Sequence, residues 1–337
     1  MRVNDLILAG DIGGTKTNLA LYARSDFPGN PLREQRYIND QVTGFSELIA
    51  AFLAEGREKP AVACFGVAGP IRNGWVQMTN LDWRIDVQEL SQLLPTKNIF
   101  LINDLVATAM GAPLLPKKEL FIINAGKTQP KGNIAVIAPG TGLGEAFLLQ
   151  GDNGFIPVAS EGGHADFAPR DRLQLELLAF LWHRDKHVSV EKVCSGTGLP
   201  NIYDFLTNSS PVPEDFSREL AGKEDRTPML VKSALAAFTS GDMEHVAVRS
   251  LRLFLDILAA EAANVSLKVL ATGGIYIGGG IPPRILPFFE TDRFMAVFAR
   301  GVYREMLSEI PIYILRNTKT ALLGAAAYGI RLAKKNG

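Results

Sequence analysis

The chain of 337 residues lacks the features that mark secreted, membrane-spanning or nucleic-acid-binding proteins. It has only two cysteines, Cys64 and Cys194, and both lie among apolar residues, which indicates buried reduced thiols rather than a disulfide or a catalytic thiol. Thirty-five lysines and arginines balance 35 aspartates and glutamates, so no net charge attracts nucleic acid or an anionic membrane. No apolar run reaches the roughly 18 residues of a membrane span. We therefore expect a cytoplasmic protein with neither nucleic acid nor membrane as a partner.

Further absences narrow the chemistry. The sequence contains no Gly-x-Ser-x-Gly nucleophile elbow and no Ser-His-Asp order, which argues against a serine hydrolase. It also contains no Cys-x-x-Cys pair, so a structural zinc site is not indicated. What the chain does have is glycine, in three clusters that each follow an apolar run.

The domain organisation follows from length and from the order of elements. The length predicts two domains, each able to bury its own core, and strand-like and helix-like segments alternate, which predicts helices packed around mostly parallel sheets. Pro113 and Pro116, followed by two lysines, resemble a linker, and a small-residue helix at 321–327 can return to the first domain. We expect a small α/β domain of residues 1–114 plus 317–337 and a large α/β domain of residues 115–316.

The first glycine-rich loop is Gly10-Asp-Ile-Gly-Gly-Thr-Lys-Thr17. It nearly matches a P-loop, but Thr15 stands where that pattern needs glycine. An apolar run precedes it at 6–9 and alternating residues follow it at 17–22, so the loop joins two strands rather than a strand and a helix. The backbone N–H groups of such a hairpin can face an anion, with Asp11 at its tip. An ordinary hairpin turn is the alternative for this segment taken alone.

Two further glycine clusters support a nucleotide site. Pro139-Gly-Thr-Gly-Leu-Gly144 joins two apolar strands and so repeats the strand–loop–strand design. A third cluster at 273–280 follows an apolar run, and Pro282 and Pro283 behind it predict a helix whose first turns are residues 284–289. The repeated design predicts a duplicated α/β unit that holds a polyphosphate from two sides, with the third cluster near the rest of the nucleotide.

Asn103 and Asp104 end an apolar strand at 99–102, the position at which ligands bind in open α/β sheets. An aspartate there can accept a proton from an attacking hydroxyl while the neighbouring amide orients the substrate. Because Asn and Asp are also good helix N-caps, capping is an equally supported interpretation from position alone.

The segment Glu161-Gly-Gly-His164 brings a carboxylate and an imidazole close to one small polar ligand. A vicinal diol suits these groups, since Glu accepts hydrogen bonds and His can donate or accept them. A polar turn is the alternative, and Glu191 is ambiguous by itself. Two phosphate loops, a candidate base and a diol-binding cluster together predict phosphoryl transfer from a nucleotide to a hydroxylated small molecule.

At these residues the chain resembles bacterial glucokinases of the non-ROK type, within the actin-like sugar-kinase superfamily. The similarity runs nearly end to end, from the loop at 10–15 to Leu322-Leu-Gly324, and the most specific segments are Met78-Thr-Asn-Leu-Asp-Trp83, Ile102-Asn-Asp104, Gly140-Thr-Gly-Leu-Gly144, Glu161-Gly-Gly-His164 and Ser195-Gly196. The resemblance implies a two-domain, ribonuclease H-like ATPase fold with a duplicated βα core and a ligand cleft between the domains. Phe167-Ala-Pro-Arg170 replaces the cysteine-rich zinc motif of ROK kinases, which excludes that branch and its zinc.

The resemblance also implies roles for individual residues. The reaction would be ATP-dependent phosphorylation of glucose at the 6-hydroxyl, with Asp104 as general base. The residues implied to hold the sugar are Asn103, Asp104, Glu161, His164 and Glu191. Those implied to hold ATP are Gly10, Asp11, Ile12, Gly13, Gly14, Thr15, Gly140, Thr141, Gly142, Gly274 and Gly279. Asp11 would also orient Mg²⁺ through water, and a homodimer is implied.

Two features depart from the family pattern. Lys16-Thr17 replaces an Asn-Ala-like continuation of the first loop, and the polar excursion at 207–228 has no assigned role. A kinase for another hexose, such as mannose, fructose or an amino sugar, remains an alternative, as does a non-catalytic sugar sensor on the same scaffold. ADP formation that depends on a hexose would separate the enzyme from the sensor.

Overall fold

The computed structural model describes residues 5–78, 81–208, 222–223 and 225–333. Its strands are β1 (Leu6–Ile12), β2 (Lys16–Ala23), β3 (Arg33–Ile38), β4 (Val62–Val67), β5 (Trp75–Gln77), β6 (Arg84–Asp86), β7 (Ile99–Asn103), β8 (Leu120–Asn124), β9 (Ile134–Pro139), β10 (Leu143–Gly151), β11 (Gly154–Ser160), β12 (Gly274–Ile277) and β13 (Ile312–Leu315). Its α-helices are α1 (Phe45–Ala54), α2 (Val87–Leu93), α3 (Asp104–Gly111), α4 (Arg172–Trp182), α5 (Gly198–Asn208), α6 (Thr227–Ser240), α7 (Val246–Val269), α8 (Thr291–Phe298), α9 (Arg304–Ser308) and α10 (Thr320–Ala333).

The chain divides into two compact units. The first comprises the described residues up to Glu119, the short stretch Pro157–Ala159 and the described residues from Asn317 on. The second comprises Leu120–Ile156 and the described residues of 160–316.

The sheet of the first unit has the order β3-β2-β1-β4-β7. β2 is antiparallel to β1 and β3, whereas β1, β4 and β7 run parallel. The buried faces of α1 and of the sheet form one core, since Leu48, Ile49 and Phe52 lie in the same cluster as Leu8 and Phe65. The carboxyl ends of β1, β4 and β7 therefore lie side by side at one edge of this sheet.

The C-terminal helix α10 packs against α3, β1 and β4 of this unit, as the small-residue pattern predicts. Two glycines permit the close helix crossing. A Cβ on Gly324 would collide with the carbonyl oxygen of Ala107, and one on Gly111 would collide with that of Thr320. These helices meet backbone to backbone, which larger side chains would prevent.

The sheet of the second unit has the order β11-β10-β9-β12-β13-β8. β9 and β10 form an antiparallel hairpin, and β9, β12 and β13 run parallel. The first five strands repeat the order and direction of the first unit, with β9 in the place of β1. The predicted duplication of the α/β unit is therefore confirmed, and β8 adds an antiparallel edge strand that the sequence reading missed.

The helix predicted at 284–289 is wrong. Two short 3₁₀ turns, Pro282–Arg284 and Leu286–Phe288, occupy this stretch, and α8 begins only at Thr291. Pro287 explains the difference, because proline lacks an N–H and its ring clashes with the carbonyl four residues earlier in a helix.

Some of the predicted features fall outside the described residues. They include Thr79 and Asn80 of the Met78–Trp83 motif and most of the excursion at 207–228, namely 209–221 and 224. Across the described ranges, no helix combines the length and apolar character that crossing a membrane requires.

Candidate functional site

The first glycine-rich loop is a hairpin, as its flanking periodicity predicts. β1 pairs with β2 in antiparallel register down to Ile12 opposite Thr17, and Gly13 N–H donates to the Lys16 carbonyl across the turn at 3.0 Å. Gly10 is required by packing, since a Cβ there would lie 2.6 Å from Cδ1 of Phe65. The P-loop alternative is thus excluded, because a strand and not a helix follows the loop.

The buried side chain of Asn39 holds this loop from behind. Its Nδ2 donates to the Gly13 carbonyl at 2.8 Å, and its backbone N–H donates to the Thr15 carbonyl at 3.0 Å. Thr17 Oγ1 in turn donates to Asn39 Oδ1 at 2.8 Å. The sequence reading missed Asn39, since a lone asparagine after a strand carries no pattern.

Asp11 lies near the carboxyl end of β1, where its side chain is partly buried. Burial raises the pKa of its carboxyl to about 6, a hydrogen bond from Asn18 Nδ2 at 3.4 Å opposes the rise, and the negative charge of Asp104 adds to it. A divalent cation would favour the ionised form of such a carboxylate. Mg²⁺ is commonly held by one or two carboxylates together with phosphate oxygens and waters, so Asp11 fits that ion.

No three His, Cys, Asp or Glu side chains group as a metal site within the described ranges.

Asn103 and Asp104 lie at the start of α3. Asn103 is the N-cap of α3, and its Oδ1 accepts from the N–H groups of Leu105 at 2.9 Å and Val106 at 3.2 Å. Asp104 is the first residue of the helix, and its Oδ1 accepts from Leu105 N–H at 3.0 Å. The capping interpretation therefore holds for Asn103, and it places the Asp104 carboxyl at the same sheet edge as Asp11.

The second glycine-rich loop is a hairpin of the same kind in the second unit. Gly140 N–H donates to the Gly142 carbonyl at 2.8 Å, and Gly196 N–H donates to the Gly140 carbonyl at 2.7 Å. The Leu143 N–H donates to Oε2 of Glu191 at 2.8 Å, and a Cβ on Gly142 would collide with the same carboxylate. Glu191, which the resemblance implies as a sugar ligand, thus also supports this loop.

Backbone pairing brings Glu161 and His164 into the neighbourhood of Glu191. Val190 N–H donates to the Ala165 carbonyl, and Phe167 N–H donates to the Val188 carbonyl, both at 2.9 Å. Both glycines between Glu161 and His164 serve close packing against β10, because a Cβ on Gly163 would collide with the Leu143 carbonyl and one on Gly162 with the Glu145 carboxylate. The side chains of Glu161 and His164 are left exposed, in position to meet a ligand.

A cavity of about 740 Å³ lies beside the second loop, wholly within the second unit. Its lining residues are Gly140, Thr141, Gly196, Thr197, Pro200, Asn201, Asp225, Arg226, Thr227, Pro228, Gly280, Ile281 and Arg284. It is large enough for a nucleoside and contains the predicted phosphate residues Gly140 and Thr141.

Only the last residue of the third glycine cluster, Gly280, lines this cavity. Gly274 is buried at the start of β12, opposite Ile134, and does not line the cavity. Gly279 adopts a left-handed φ of 84° and packs against the Pro139 carbonyl, which places the following Gly280 in the cavity wall.

The wall at 225–228 comes from the described end of the polar excursion, to which the sequence reading gave no role. Arg226 donates to both carboxylate oxygens of Asp204 at 2.7 Å, and Thr227 Oγ1 donates to the Gly196 carbonyl. These bonds join the start of α6 to α5 and to Gly196, whose own N–H donates to the Gly140 carbonyl of the second loop. Nothing local in the sequence indicates them, because the partners are more than 20 residues apart.

The first five strands of the second sheet repeat the strand order of the first sheet, and each sheet contains a glycine-rich hairpin, which is the arrangement of the actin-like ATPase fold. A ROK family glucokinase from Streptomyces griseus, solved with glucose and AMPPNP, shares this fold with a TM-score of 0.64 at 21% identity, over 96% of this chain and 98% of that chain.

The family model for glucokinase matches residues 8–331. The chain is 39% identical to the glucokinase of Nostoc punctiforme over 342 residues, which covers 97% of this chain and 99% of that protein. The crystal structure of glucokinase from an Antarctic psychrotroph superposes with a TM-score of 0.83 at 30% identity, over 96% of this chain and 98% of that chain. The chain therefore belongs to the glucokinase family, and the predicted transferase activity, ATP-dependent phosphorylation of glucose, is confirmed at the level of the family.

Proposed function

We propose that the chain transfers the γ-phosphoryl group of ATP to the 6-hydroxyl of glucose and that Asp104 is the general base. The observation that carries this proposal is the position of Asp104 at the same sheet edge as Asp11, close enough for its charge to raise the pKa of Asp11. A base beside the carboxylate that would orient Mg²⁺ stands where the acceptor hydroxyl has to lose its proton. Asn103 caps the first turn of α3, which contains Asp104.

The phosphates of ATP would contact the hairpin loops at 10–15 and 140–142, and its nucleoside would occupy the cavity of the second unit. Backbone N–H groups of glycine-rich turns are suited to phosphate oxygens. The lining residues Asn201 and Arg284 offer hydrogen bonds to a base or ribose, and Pro200 and Ile281 offer apolar contact. Gly280 then allows the nucleotide a close approach to the backbone, whereas Gly274 serves the strand.

The sugar would be held by Asn103, Glu161, His164 and Glu191 through its ring hydroxyls. Carboxylates accept from such hydroxyls and the imidazole can donate or accept, so the set discriminates by hydrogen-bond direction. A sugar hydroxyl that fails to meet one of these groups leaves it unpaired, which is how a polar site rejects related hexoses. The name of the Nostoc punctiforme relative supports glucose as the substrate over mannose, fructose or an amino sugar.

Mg²⁺, when bound, would neutralise charge on the β- and γ-phosphates. Asp11 would orient the ion, since its carboxylate lies near the carboxyl end of β1 beside the first phosphate loop. The backbone of the first loop orients the phosphates, Asp104 takes the proton, and Glu161 and His164 hold the acceptor in place.

Two further properties belong to the proposal. The protein acts in the cytoplasm, which the two buried free thiols support because reducing compartments preserve them. It acts as a homodimer, which the family resemblance supports. Light scattering of the purified protein should give twice the chain mass, and a single chain mass at assay concentration would contradict the homodimer.

The test is an ADP-forming assay with a panel of hexoses, combined with Asp104→Asn. The wild-type protein should turn over with glucose, and Asp104→Asn should lower kcat by about 10²–10⁴-fold, the usual contribution of a general base. Glucose binding measured by calorimetry should change little, because the amide keeps the size of the side chain. Asp152→Asn, at an exposed aspartate of the β10–β11 turn, is the control and should match the wild type. Turnover of Asp104→Asn near the wild-type rate would refute the assignment of the base.

A further inference from the structure

Asn39 and Thr17 form a buried polar pair directly behind the first phosphate loop. Asn39 is 1% exposed and Thr17 is fully buried, although both side chains are polar. Buried polar side chains are costly unless they are hydrogen-bonded, so a pair kept here has to be satisfied. The Asn39 amide is satisfied on both sides, by the Gly13 carbonyl and by Thr17 Oγ1.

The geometry of the peptide group links this pair to the ligand face of the loop. The Gly13 carbonyl and the Gly14 N–H belong to one planar trans peptide and point in opposite directions. Since Asn39 Nδ2 holds the carbonyl at 2.8 Å, the Gly14 N–H is directed away from Asn39. The second contact, from Asn39 N–H to the Thr15 carbonyl at 3.0 Å, fixes the peptide between Thr15 and Lys16. Two carbonyls on the rear side are thereby held by one residue.

The Gly13 carbonyl determines which way the Asn39 amide faces, and Thr17 supplies the donor that the amide oxygen then needs. A hydroxyl can donate to Oδ1, whereas the Gly13 carbonyl can only accept and therefore requires Nδ2. With both partners present, only one orientation of the amide satisfies every group. Removing the hydroxyl would leave Oδ1 buried without a donor and would weaken the hold on Gly13.

We propose that Asn39, whose buried side-chain oxygen is satisfied by Thr17, is a positioning residue that aims the N–H of Gly14 at the phosphates of ATP. The proposal rests on the proposed function in one respect, namely that the loop at 10–15 binds the nucleotide. It also gives a role to Thr17, one of the two residues at which the chain departs from the family pattern. Neither side chain touches the ligand; both act through the loop backbone.

The test compares Thr17→Val with Thr17→Ser. Valine keeps the volume and the β-branched shape but removes the donor, whereas serine keeps the donor. Thr17→Val should raise KM for ATP about tenfold, in line with the loss of about one buried hydrogen bond at a binding loop, and should leave KM for glucose within about twofold. Thr17→Ser should restore KM for ATP to within about twofold of the wild type. Asn39→Ala should raise KM for ATP at least as much as Thr17→Val does.

Two controls separate positioning from general destabilisation. Ile49→Val removes a methylene from the core of the same unit and should lower the melting temperature without changing KM for ATP. Gln41→Ala, exposed on the same turn as Asn39, should change neither quantity. An unchanged KM for ATP in Thr17→Val, or an equal rise of both KM values that Thr17→Ser does not reverse, would overturn the proposal.

A direct binding measurement distinguishes failure of the positioning role from failure of the proposed function. Calorimetric titration with AMPPNP and Mg²⁺ needs no hexose and should show about tenfold weaker binding for Thr17→Val and wild-type binding for Thr17→Ser. If the wild type binds AMPPNP but forms no ADP with any hexose, the proposed function fails while the positioning role is still measured. Equal AMPPNP affinity of the valine variant and the wild type refutes the positioning role alone.

Discussion

The buried carboxyl group of Glu145 should lower the stability of the folded protein at neutral pH and above. It lies on β10 with 2% of its surface exposed, and its Oε2 packs against Gly162 below the segment predicted to bind the sugar. Its Oε1 has no hydrogen-bond partner among the described residues. Burial raises its pKa to about 7, the charge of Glu261 adds to the rise, and Lys268 opposes it. Replacing this carboxyl by the neutral amide of glutamine should therefore stabilise the protein.

The size and sign of the effect follow from the proton balance. The unfolded chain releases the Glu145 proton near the usual pKa of 4.5, and the folded protein retains it up to about pH 7. Between these values the folded state binds more protons, so stability falls as the pH rises. Raising the pKa from 4.5 to about 7 corresponds to a loss of about 3 kcal/mol, at about 1.4 kcal/mol per pH unit. The loss is complete above about pH 7 and absent below about pH 4.5.

Chemical denaturation at two pH values measures this loss. Glu145→Gln should exceed the wild type by about 3 kcal/mol in free energy of unfolding near pH 8 and by less than about 1 kcal/mol near pH 5. Glu89→Gln, at an exposed position of α2, should stay within about 0.5 kcal/mol of the wild type at both pH values. A Glu145→Gln advantage that is equal at the two pH values, or absent at pH 8, would refute the account of a buried ionised carboxyl.

Three further substitutions test other parts of the site and fold. Glu191→Ala should weaken the binding of both AMPPNP and glucose about tenfold, because the Glu191 carboxylate supports the second phosphate loop. Glu161→Gln should weaken the binding of glucose alone. Unchanged AMPPNP binding in Glu191→Ala would contradict the supporting role. Gly324→Ala should destabilise by about 1–3 kcal/mol, because its Cβ would collide with the Ala107 carbonyl, and thermal unfolding without ligand measures this against Gly280→Ala, where a Cβ meets open space. Equal melting temperatures of these two alanine variants would contradict the close helix crossing.

The elements that the sequence predicts well are those with a strong local pattern. The hairpin at 10–17 follows from the alternation after it, and the second hairpin follows from the same design at 139–144. Pro287 shows the converse. Pro282 and Pro283 predict a helix at 284–289, but Pro287 lies within that stretch and prevents the helix. The stop signal of Pro287 thus outweighs the start signal of Pro282 and Pro283.

The parts of the site that could not be predicted depend on contacts between distant segments. Thr17 meets Asn39 across 22 residues, and Leu143 meets Glu191 across 48. No periodicity in one sequence records such pairs, because no partner stands out among its own neighbours in the chain. The same holds for Arg226, whose place in the cavity wall depends on Asp204 in the preceding helix.

These distant partners explain how one glycine-rich design can serve two loops with different neighbours. Glycine lets each loop approach a ligand closely, but it also removes the side chains that would hold the loop in shape. The first loop is therefore held from behind by an amide, Asn39, and the second by a carboxylate, Glu191. The Asn39 amide is neutral and does not compete with phosphate for cations. The Glu191 carboxylate is negative and repels phosphate, and it can exchange its hydrogen bond from Leu143 N–H for one from a sugar hydroxyl. We therefore expect Glu191 to couple the binding of sugar to the binding of nucleotide and Asn39 to contribute nothing to this coupling. AMPPNP titrations with and without glucose measure the difference directly.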